Sequence, residues 1–123
     1  MSGNKYLVDT NIILYILSGN STLANHLYLK NLYTSFISEM EVLAFKSLSS
    51  KEEKNIRDFL SQMRIINIDE TIKEEAVLLR KQYGLKLPDC IIAATAISLQ
   101  LTLITADKQF RQIERLLLEL YES

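Results

Sequence analysis

The stretch YLVDTNIIL, residues 6–14, contains the feature that decides the fold. Three apolar residues end at Asp9, and a second apolar run begins at Ile12. A short apolar run, a polar break and a longer apolar run are typical of a buried strand that leads directly into a helix. We therefore predict a first strand at residues 5–8 and a first helix at residues 11–17, with Asp9 at their junction.

The same alternation recurs along the rest of the chain. Apolar and β-branched runs predict three further strands, at residues 33–37, 64–68 and 101–104. Periodic apolar patterns between them predict helices at about residues 22–30, 39–47, 51–63, 70–83 and 89–99. The tail, residues 110–121, fits either a helix or a short helix followed by an edge strand. Strands that alternate with helices predict a single α/β domain over residues 1–123, with a parallel sheet covered on both faces.

The composition excludes several kinds of site. One cysteine, Cys90, and one histidine, His26, are too few for a zinc site or an internal disulfide. Three scattered glycines do not form a P-loop or a dinucleotide-binding fingerprint. No apolar stretch reaches the roughly 18 residues that crossing a bilayer requires, and the start of the chain lacks the apolar core of a secretory signal. We expect a cytoplasmic protein that does not enter membranes.

Four acidic residues stand just after a predicted strand or at a predicted helix start. They are Asp9, Glu41, Asp89 and Asp107. Each has a purely structural explanation as a helix cap or first-turn acid, and Glu41 completes a capping box with Ser38. As a group they indicate more, because parallel strands about 4.8 Å apart end at one edge of the sheet, where ligands bind.

Carboxylates that share one edge repel each other unless a cation or shared protons neutralise them. Oxygen ligands without histidine or cysteine favour Mg²⁺ or Mn²⁺. The formal net charge of −1 provides no broad basic surface, so any contact with nucleic acid must come from local patches. The residues themselves therefore predict an acidic site for a divalent cation at the carboxyl edge of the sheet.

Four segments carry a resemblance to a known protein family. They are VDTNIILYIL, FISEMEVLAF, KLPDCIIAATAISL and LTLITADKQF. In this order and spacing they resemble the PIN-domain family, and within it the VapC-type toxins of toxin–antitoxin pairs. The resemblance extends from Tyr6 to about Phe110. It implies a three-layer α/β/α sandwich with a parallel sheet of four to five strands, in which strand one lies between strands two and four and strand three lies at an edge.

The resemblance also implies residue roles and an activity, that of an endoribonuclease dependent on Mg²⁺ or Mn²⁺. The acids that would bind metal and serve catalysis are Asp9, Glu41, Asp89 and Asp107. Small polar residues that would support them are Asn11, Ser38 and Thr105. One departure concerns Gln109, since many relatives carry an acid at this place, and this change puts a peripheral metal contact in doubt.

Substrate and partners follow from the same resemblance. The substrate would be RNA, and the cations nearest the acids in sequence are candidates for phosphate binding: Lys46, Lys86, Lys108 and Arg111. The competing explanation for them is ordinary solvated surface. The expected partners are an antitoxin protein and a second copy of this chain, with the apolar tail LLLELY as the contact surface of the homodimer.

Three alternatives remain open at this point. A PIN-type RNase outside any toxin pair would have the same residues, whereas a PIN scaffold that only binds a partner gives no reason for four mutually repelling acids. A phosphoacceptor receiver domain would use Asp69 after strand three, but it would also need paired acids after strand one, where this chain has Asp9, Thr10 and Asn11. Because strand three is expected at an edge, roughly 9–10 Å from strand one, we predict that Asp69 is an N-cap.

Overall fold

Five parallel strands form one sheet in the computed structural model, which describes residues 4–122. The strands are β1 (Lys5–Val8), β2 (Asn31–Ser35), β3 (Arg64–Ile66), β4 (Thr102–Thr105) and β5 (Leu118–Leu120). Their order across the sheet is β3-β2-β1-β4-β5. β1 therefore lies between β2 and β4, with β3 at one edge, as the family resemblance implied.

Helices cover both faces of the sheet. They are α1 (Thr10–Leu17), α2 (Ser21–Leu27), α3 (Phe36–Leu43), α4 (Ser50–Leu60), α5 (Glu70–Tyr83) and α6 (Leu87–Leu99), together with the 3-10 helix Lys108–Gln112. Successive side chains of β1 point to opposite faces, so Leu7 joins the core beneath α5 and α6, whereas Tyr6 and Val8 join the core beneath α1, α2 and α4. The predicted three-layer α/β/α architecture is confirmed.

The boundary between β2 and α3 differs from the prediction. The aromatic and β-branched run was expected to continue as a strand to residue 37, yet α3 begins at Phe36. The Ser35 hydroxyl accepts a hydrogen bond from the Ile37 backbone amide and so caps the helix. A local capping contact thus ends the strand where strand propensity alone would continue it.

The C-terminal segment resolves into a short helix and an edge strand. After the 3-10 helix the chain returns to the sheet as β5, which pairs with β4. Two side chains hold β5 in place at Glu119: the Tyr6 hydroxyl donates to it at 3.0 Å, and His26 Nε2 lies 2.5 Å from it. The only histidine of the sequence therefore has a structural partner, and Cys90 is buried in the core as predicted.

No helix within residues 4–122 has the length and apolarity that crossing a membrane requires. All the described elements belong to one sheet and its two helical layers. The single domain over residues 1–123 stays a prediction, and residues 1–3 and 123 lie outside the described part of the chain.

Leu79→Ala should destabilise the protein by about 2–5 kcal/mol, because the leucine side chain of α5 is fully buried and its removal leaves a cavity in the core. The neighbouring Leu78 is 57% exposed and provides a matched control. Leu78→Ala should change the free energy of unfolding by no more than about 0.5 kcal/mol. Urea denaturation of both variants measures the difference, and equal effects would contradict the packing described here.

Candidate metal-binding site

Asp9 lies at the point where β1 passes into α1. Its backbone amide donates to the Ile104 carbonyl at 3.1 Å, so the pairing of β1 with β4 continues one residue beyond the strand. Its side chain caps α1, since Oδ1 accepts from the Thr10 amide at 2.8 Å. The residue is only 6% exposed. A carboxylate is thus held under the surface at the carboxyl edge of the sheet.

Two polar side chains tie the end of β1 to the end of β4. The Thr105 hydroxyl donates to Asp9 Oδ2 at 2.6 Å and accepts from the Asp107 amide at 3.0 Å. Asn11 Oδ1 accepts from the Ala106 amide at 3.2 Å. Thr105 is fully buried, so this bridge between the Asp9 carboxylate and the Asp107 backbone is shielded from water.

Glu41 reaches the site from the second turn of α3. Its Oε1 atom lies 2.5 Å from the Thr10 hydroxyl, which is also 3.0 Å from the Ser38 hydroxyl. The predicted capping box of Ser38 and Glu41 is wrong, because Ser35 is the N-cap and Ser38 is already the third residue of the helix. With that structural explanation removed, Glu41 is a side chain directed towards α1 and the buried Asp9.

Asp107 and Asp89 complete the group. Asp107 follows β4 and caps the 3-10 helix, with its Oδ1 accepting from the Gln109 amide at 3.0 Å and its Oδ2 from the Gln109 side chain at 3.3 Å. Asp89 is partly buried in the first turn of α6, where the N-cap residue Lys86 makes no side-chain capping bond. Gln109, the departure from the family pattern, therefore holds the Asp107 carboxylate through both of its oxygens.

The four carboxylates influence one another electrostatically. Burial raises the pKa of Asp9, and repulsion from Asp89 and Glu41 raises it further, whereas the hydrogen bonds from Thr105 and Thr10 act in the opposite direction. The pKa of Asp89 is also raised, first by burial and then by Asp107 and Glu41, while Lys86 lowers it. Electrostatic repulsion thus links Asp9 with Asp89 and Glu41, and it links Asp89 with Asp107 and Glu41.

The donors present suit a hard divalent cation. All four are carboxylates, and their mutual repulsion would be relieved by positive charge between them. Among residues 4–122, no three His, Cys, Asp or Glu side chains already stand close enough to form a complete metal site. The arrangement is therefore a set of acids within electrostatic range of one another and not a closed coordination shell.

Asp69 lies apart from these four acids. It caps α5 by accepting from the Ile72 amide at 2.9 Å, and it follows the edge strand β3, with β2 between β3 and β1. The prediction that Asp69 is a structural N-cap is confirmed. A receiver-type phosphorylation site at this aspartate is therefore not supported, since it would be separated from the acidic cluster.

The four cations predicted near the site differ in their surroundings. Lys86 lies close enough to Asp89 to lower its pKa, and Lys108 directly follows Asp107. Arg111 lies 4.0 Å from Glu122, and Lys46 is an exposed residue in the loop after α3.

Sequence reasoning missed Thr10, whose hydroxyl contacts Ser38 and Glu41 and so joins α1 to α3. The sequence pointed to this residue only by placing a side chain with a hydroxyl group directly after Asp9.

Comparison with known proteins places this geometry in a family context. The model of the family described as PIN domain matches residues 6–116. A toxin–antitoxin complex from Klebsiella pneumoniae is 38% identical over 90% of this chain and 94% of that chain, with a TM-score of 0.79. VapBC2 from Rickettsia felis bound to a promoter DNA fragment is 28% identical over 95% and 98% of the two chains, with a TM-score of 0.83. VapBC-1 from nontypeable Haemophilus influenzae is 26% identical over 94% and 96%, with a TM-score of 0.75. A comparison with curated protein sequences found no match.

Asp89→Asn should raise the melting temperature at pH 7 in EDTA, because the substitution removes a charge that the folded protein disfavours. The expected gain is on the order of 0.5–2 kcal/mol. The pKa of Asp89 is higher in the folded protein than in the unfolded chain, where it is about 3.9. The wild type therefore loses stability as the pH rises from about 3.9 through the pKa of the folded state. The advantage of the variant should therefore be full at pH 7 and disappear below about pH 4.

Asp69→Asn is the matched control, since asparagine also caps helices well. It should give no such gain at any pH. Thermal melts across pH 3–8 compare the two variants with the wild type. A lower melting temperature for Asp89→Asn at pH 7 would show that Asp89 acts mainly as a favourable first-turn charge.

Proposed function

This chain belongs to the PIN-domain family, and from that premise we propose that it is an endoribonuclease dependent on Mg²⁺ or Mn²⁺ and the toxin of a type II toxin–antitoxin pair. The observation that carries the proposal is the gathering of Asp9, Glu41, Asp89 and Asp107 at one edge of the sheet, from four separate parts of the chain. Helix capping alone explains neither the position of Glu41 nor the mutual repulsion of the four acids.

The proposed metal ligands are Asp9, Asp89 and Asp107, with Glu41 beside them. A bound divalent ion would lower the pKa of a water molecule that attacks the phosphodiester and would stabilise negative charge on the phosphate. Thr105 keeps Asp9 in a fixed orientation, since its hydroxyl bond occupies one lone pair of Oδ2 and leaves others for a ligand. Asn11 holds the adjacent backbone at Ala106, so the two acid-bearing junctions keep their spacing.

Asp107 is partly buried and would contribute its carboxylate to the site. Gln109 fixes its carboxylate with one backbone and one side-chain bond, and neither bond carries charge. A relative with an acid at position 109 would add negative charge there. We therefore assign Gln109 to the orientation of Asp107 and not to metal binding.

The RNA substrate would approach the exposed rim of the site. Lys86 is the first candidate for a phosphate contact, because it already acts electrostatically on Asp89. Lys108 would follow from its place beside Asp107, and Arg111 would be available once its long contact of 4.0 Å with Glu122 is broken. Lys46, beyond the end of α3, completes the proposed set. Such contacts would provide affinity for phosphate without determining which sequence is cut.

The proposed partner is an antitoxin protein. The solved relative from Klebsiella pneumoniae is a toxin–antitoxin complex, and those from Rickettsia felis and Haemophilus influenzae are VapBC assemblies. Each comparison covers 90% or more of this chain. An arginine or lysine of the antitoxin would block the metal positions by pairing with Asp9 or Asp107. Expression in the cytoplasm, where RNA and antitoxin are available, is part of the same proposal.

Two alternatives within the family lead to different results. A PIN-type RNase without an antitoxin would cleave RNA in the same way but would have no small companion protein. A scaffold that only binds a partner would not cleave RNA at all. The intact set of four acids supports a nuclease, because such a scaffold would keep their repulsion without any benefit.

Asp89→Asn should reduce RNA cleavage by at least 100-fold, because it removes a proposed metal ligand, and EDTA should abolish cleavage by the wild type. Cleavage of a fluorescent RNA pool, measured with Mn²⁺, Mg²⁺ or EDTA, tests both statements. Asp69→Asn is the matched control and should stay within a few-fold of the wild type, since Asp69 only caps α5. Cleavage by the wild type at an equal rate in excess chelator would contradict the metal mechanism.

A homodimer is proposed from the family resemblance. The tail contributes less exposed apolar surface than its sequence suggested, since Leu116 is buried and Leu117 is the exposed leucine, at 48%. Light scattering on the purified chain should give the mass of two copies. A monomer at millimolar concentration would remove the dimer from the proposal.

A further inference from the structure

Thr10 contacts two of the four acids at once. Its backbone amide donates to Asp9 Oδ1 at 2.8 Å, and its hydroxyl lies 2.5 Å from Glu41 Oε1. The same hydroxyl is 3.0 Å from that of Ser38, which is 1% exposed. Thr10 is the first residue of α1, whereas Ser38 and Glu41 belong to α3. The hydroxyl thus stands between the two helices, at the side of the site that faces α3.

The number of available protons determines which group donates in the contacts of the Thr10 hydroxyl. A hydroxyl has one proton to donate, and an ionised carboxylate can only accept. Thr10 must therefore donate to Glu41, and Ser38 then donates to the Thr10 oxygen. The result is a relay from the buried Ser38 through Thr10 to the carboxylate, in which each hydroxyl is oriented by the next group. A donor to a charged acceptor forms the stronger kind of hydrogen bond.

Glu41 needs such a contact more than the other acids do. Its side chain is long and belongs to an exposed residue, and the charges of Asp9 and Asp89 repel it. Without a donor at α1, repulsion and rotamer entropy would both favour conformations that point into solvent, away from the cluster. The Thr10 hydroxyl supplies an attraction that opposes both effects.

We propose that Thr10 is a positioning residue, which holds the Glu41 carboxylate at the acidic site through a hydroxyl relay that begins at Ser38. The inference rests on the proposed function, since it assumes that the cluster binds a divalent cation. Thr10 itself does not touch the cation or the substrate. It acts through Glu41, so its removal should have no effect once Glu41 can no longer bind the cation.

The competing explanation is that the Thr10 hydroxyl only fastens α1 to α3. The two explanations differ in what a variant changes. A purely structural contact would lower the melting temperature in EDTA and leave the affinity for Mn²⁺ unchanged. A positioning contact would lower the affinity for Mn²⁺ even where the melting temperature in EDTA is preserved.

The test measures the rise in melting temperature as Mn²⁺ is added to the purified full chain, which reports binding without any assay of activity. Thr10→Val keeps the shape of the side chain and removes the hydroxyl. It should weaken Mn²⁺ binding roughly 10- to 100-fold, as loss of a supporting hydrogen bond does at other metal sites. Thr10→Ser restores a hydroxyl and should return the affinity to within a few-fold of the wild type.

Two further comparisons connect the effect to Glu41. Thr10→Val in a Glu41→Gln background should weaken Mn²⁺ binding little beyond Glu41→Gln alone, because the residue that Thr10 positions is already lost. Thr71→Val removes an exposed hydroxyl from the first turn of α5, away from the site, and should leave the affinity unchanged. Thr10→Ala is the second hydroxyl-free variant, for use if valine prevents folding.

The outcomes separate this inference from the proposed function. If the wild type responds to Mn²⁺ and the hydroxyl-free variants respond equally, the positioning role is refuted while the metal site stands. Additive effects of the Thr10 and Glu41 substitutions refute it as well. If the wild type neither responds to Mn²⁺ nor cleaves RNA, the proposed function fails and the positioning role fails with it.

Discussion

The parallel pairing of β1 with β4 is the constraint on which the acidic site depends. The hydrogen bond from the Asp9 amide to the Ile104 carbonyl extends this pairing to the residue where β1 ends. It brings the Asp9 side chain beside Thr105, the last residue of β4, and the two junctions then share the 2.6 Å hydroxyl bond. Because β1 is central and buried on both faces, a one-residue change in its register would move Asp9 out of the cluster and would turn Leu7 into the opposite core.

Hydroxyl groups, more than cations, hold the acids together. Thr105 contacts Asp9, and Thr10 contacts both Asp9 and Glu41, while Lys86 favours the charged form of Asp89. A hydroxyl orients a carboxylate without cancelling its charge. The site therefore stays negative and open to a divalent ion, whereas a lysine or arginine in the same place would compete with that ion.

Capping and site formation are compatible at the same residue, because a carboxylate has two oxygens and about four acceptor positions. Asp9 uses Oδ1 for the first turn of α1 and Oδ2 for Thr105. Asp107 caps the 3-10 helix while its backbone amide donates to Thr105. The structural explanation of these acids is thus correct for Asp9 and Asp107, and it does not compete with their place in the cluster. Asp69 shows the contrast, since it caps α5 after the edge strand β3, and β2 separates that strand from β1.

The sequence by itself determined the fold class, the four acids and most helix limits, because these depend on local patterns: apolar periodicity, Gly84 in the left-handed conformation after α5, and the cap at Asp69. The start of α3 also depends on a local contact, the Ser35 cap, which strand propensity alone did not predict. Two features were decided only by the tertiary structure. The final segment becomes an edge strand because it pairs with β4 and its Glu119 contacts Tyr6 and His26, and Thr10 meets Glu41 because α1 packs beside α3. In each case the local sequence is compatible with more than one conformation. A contact with a residue distant in sequence then selects the conformation that the folded chain adopts.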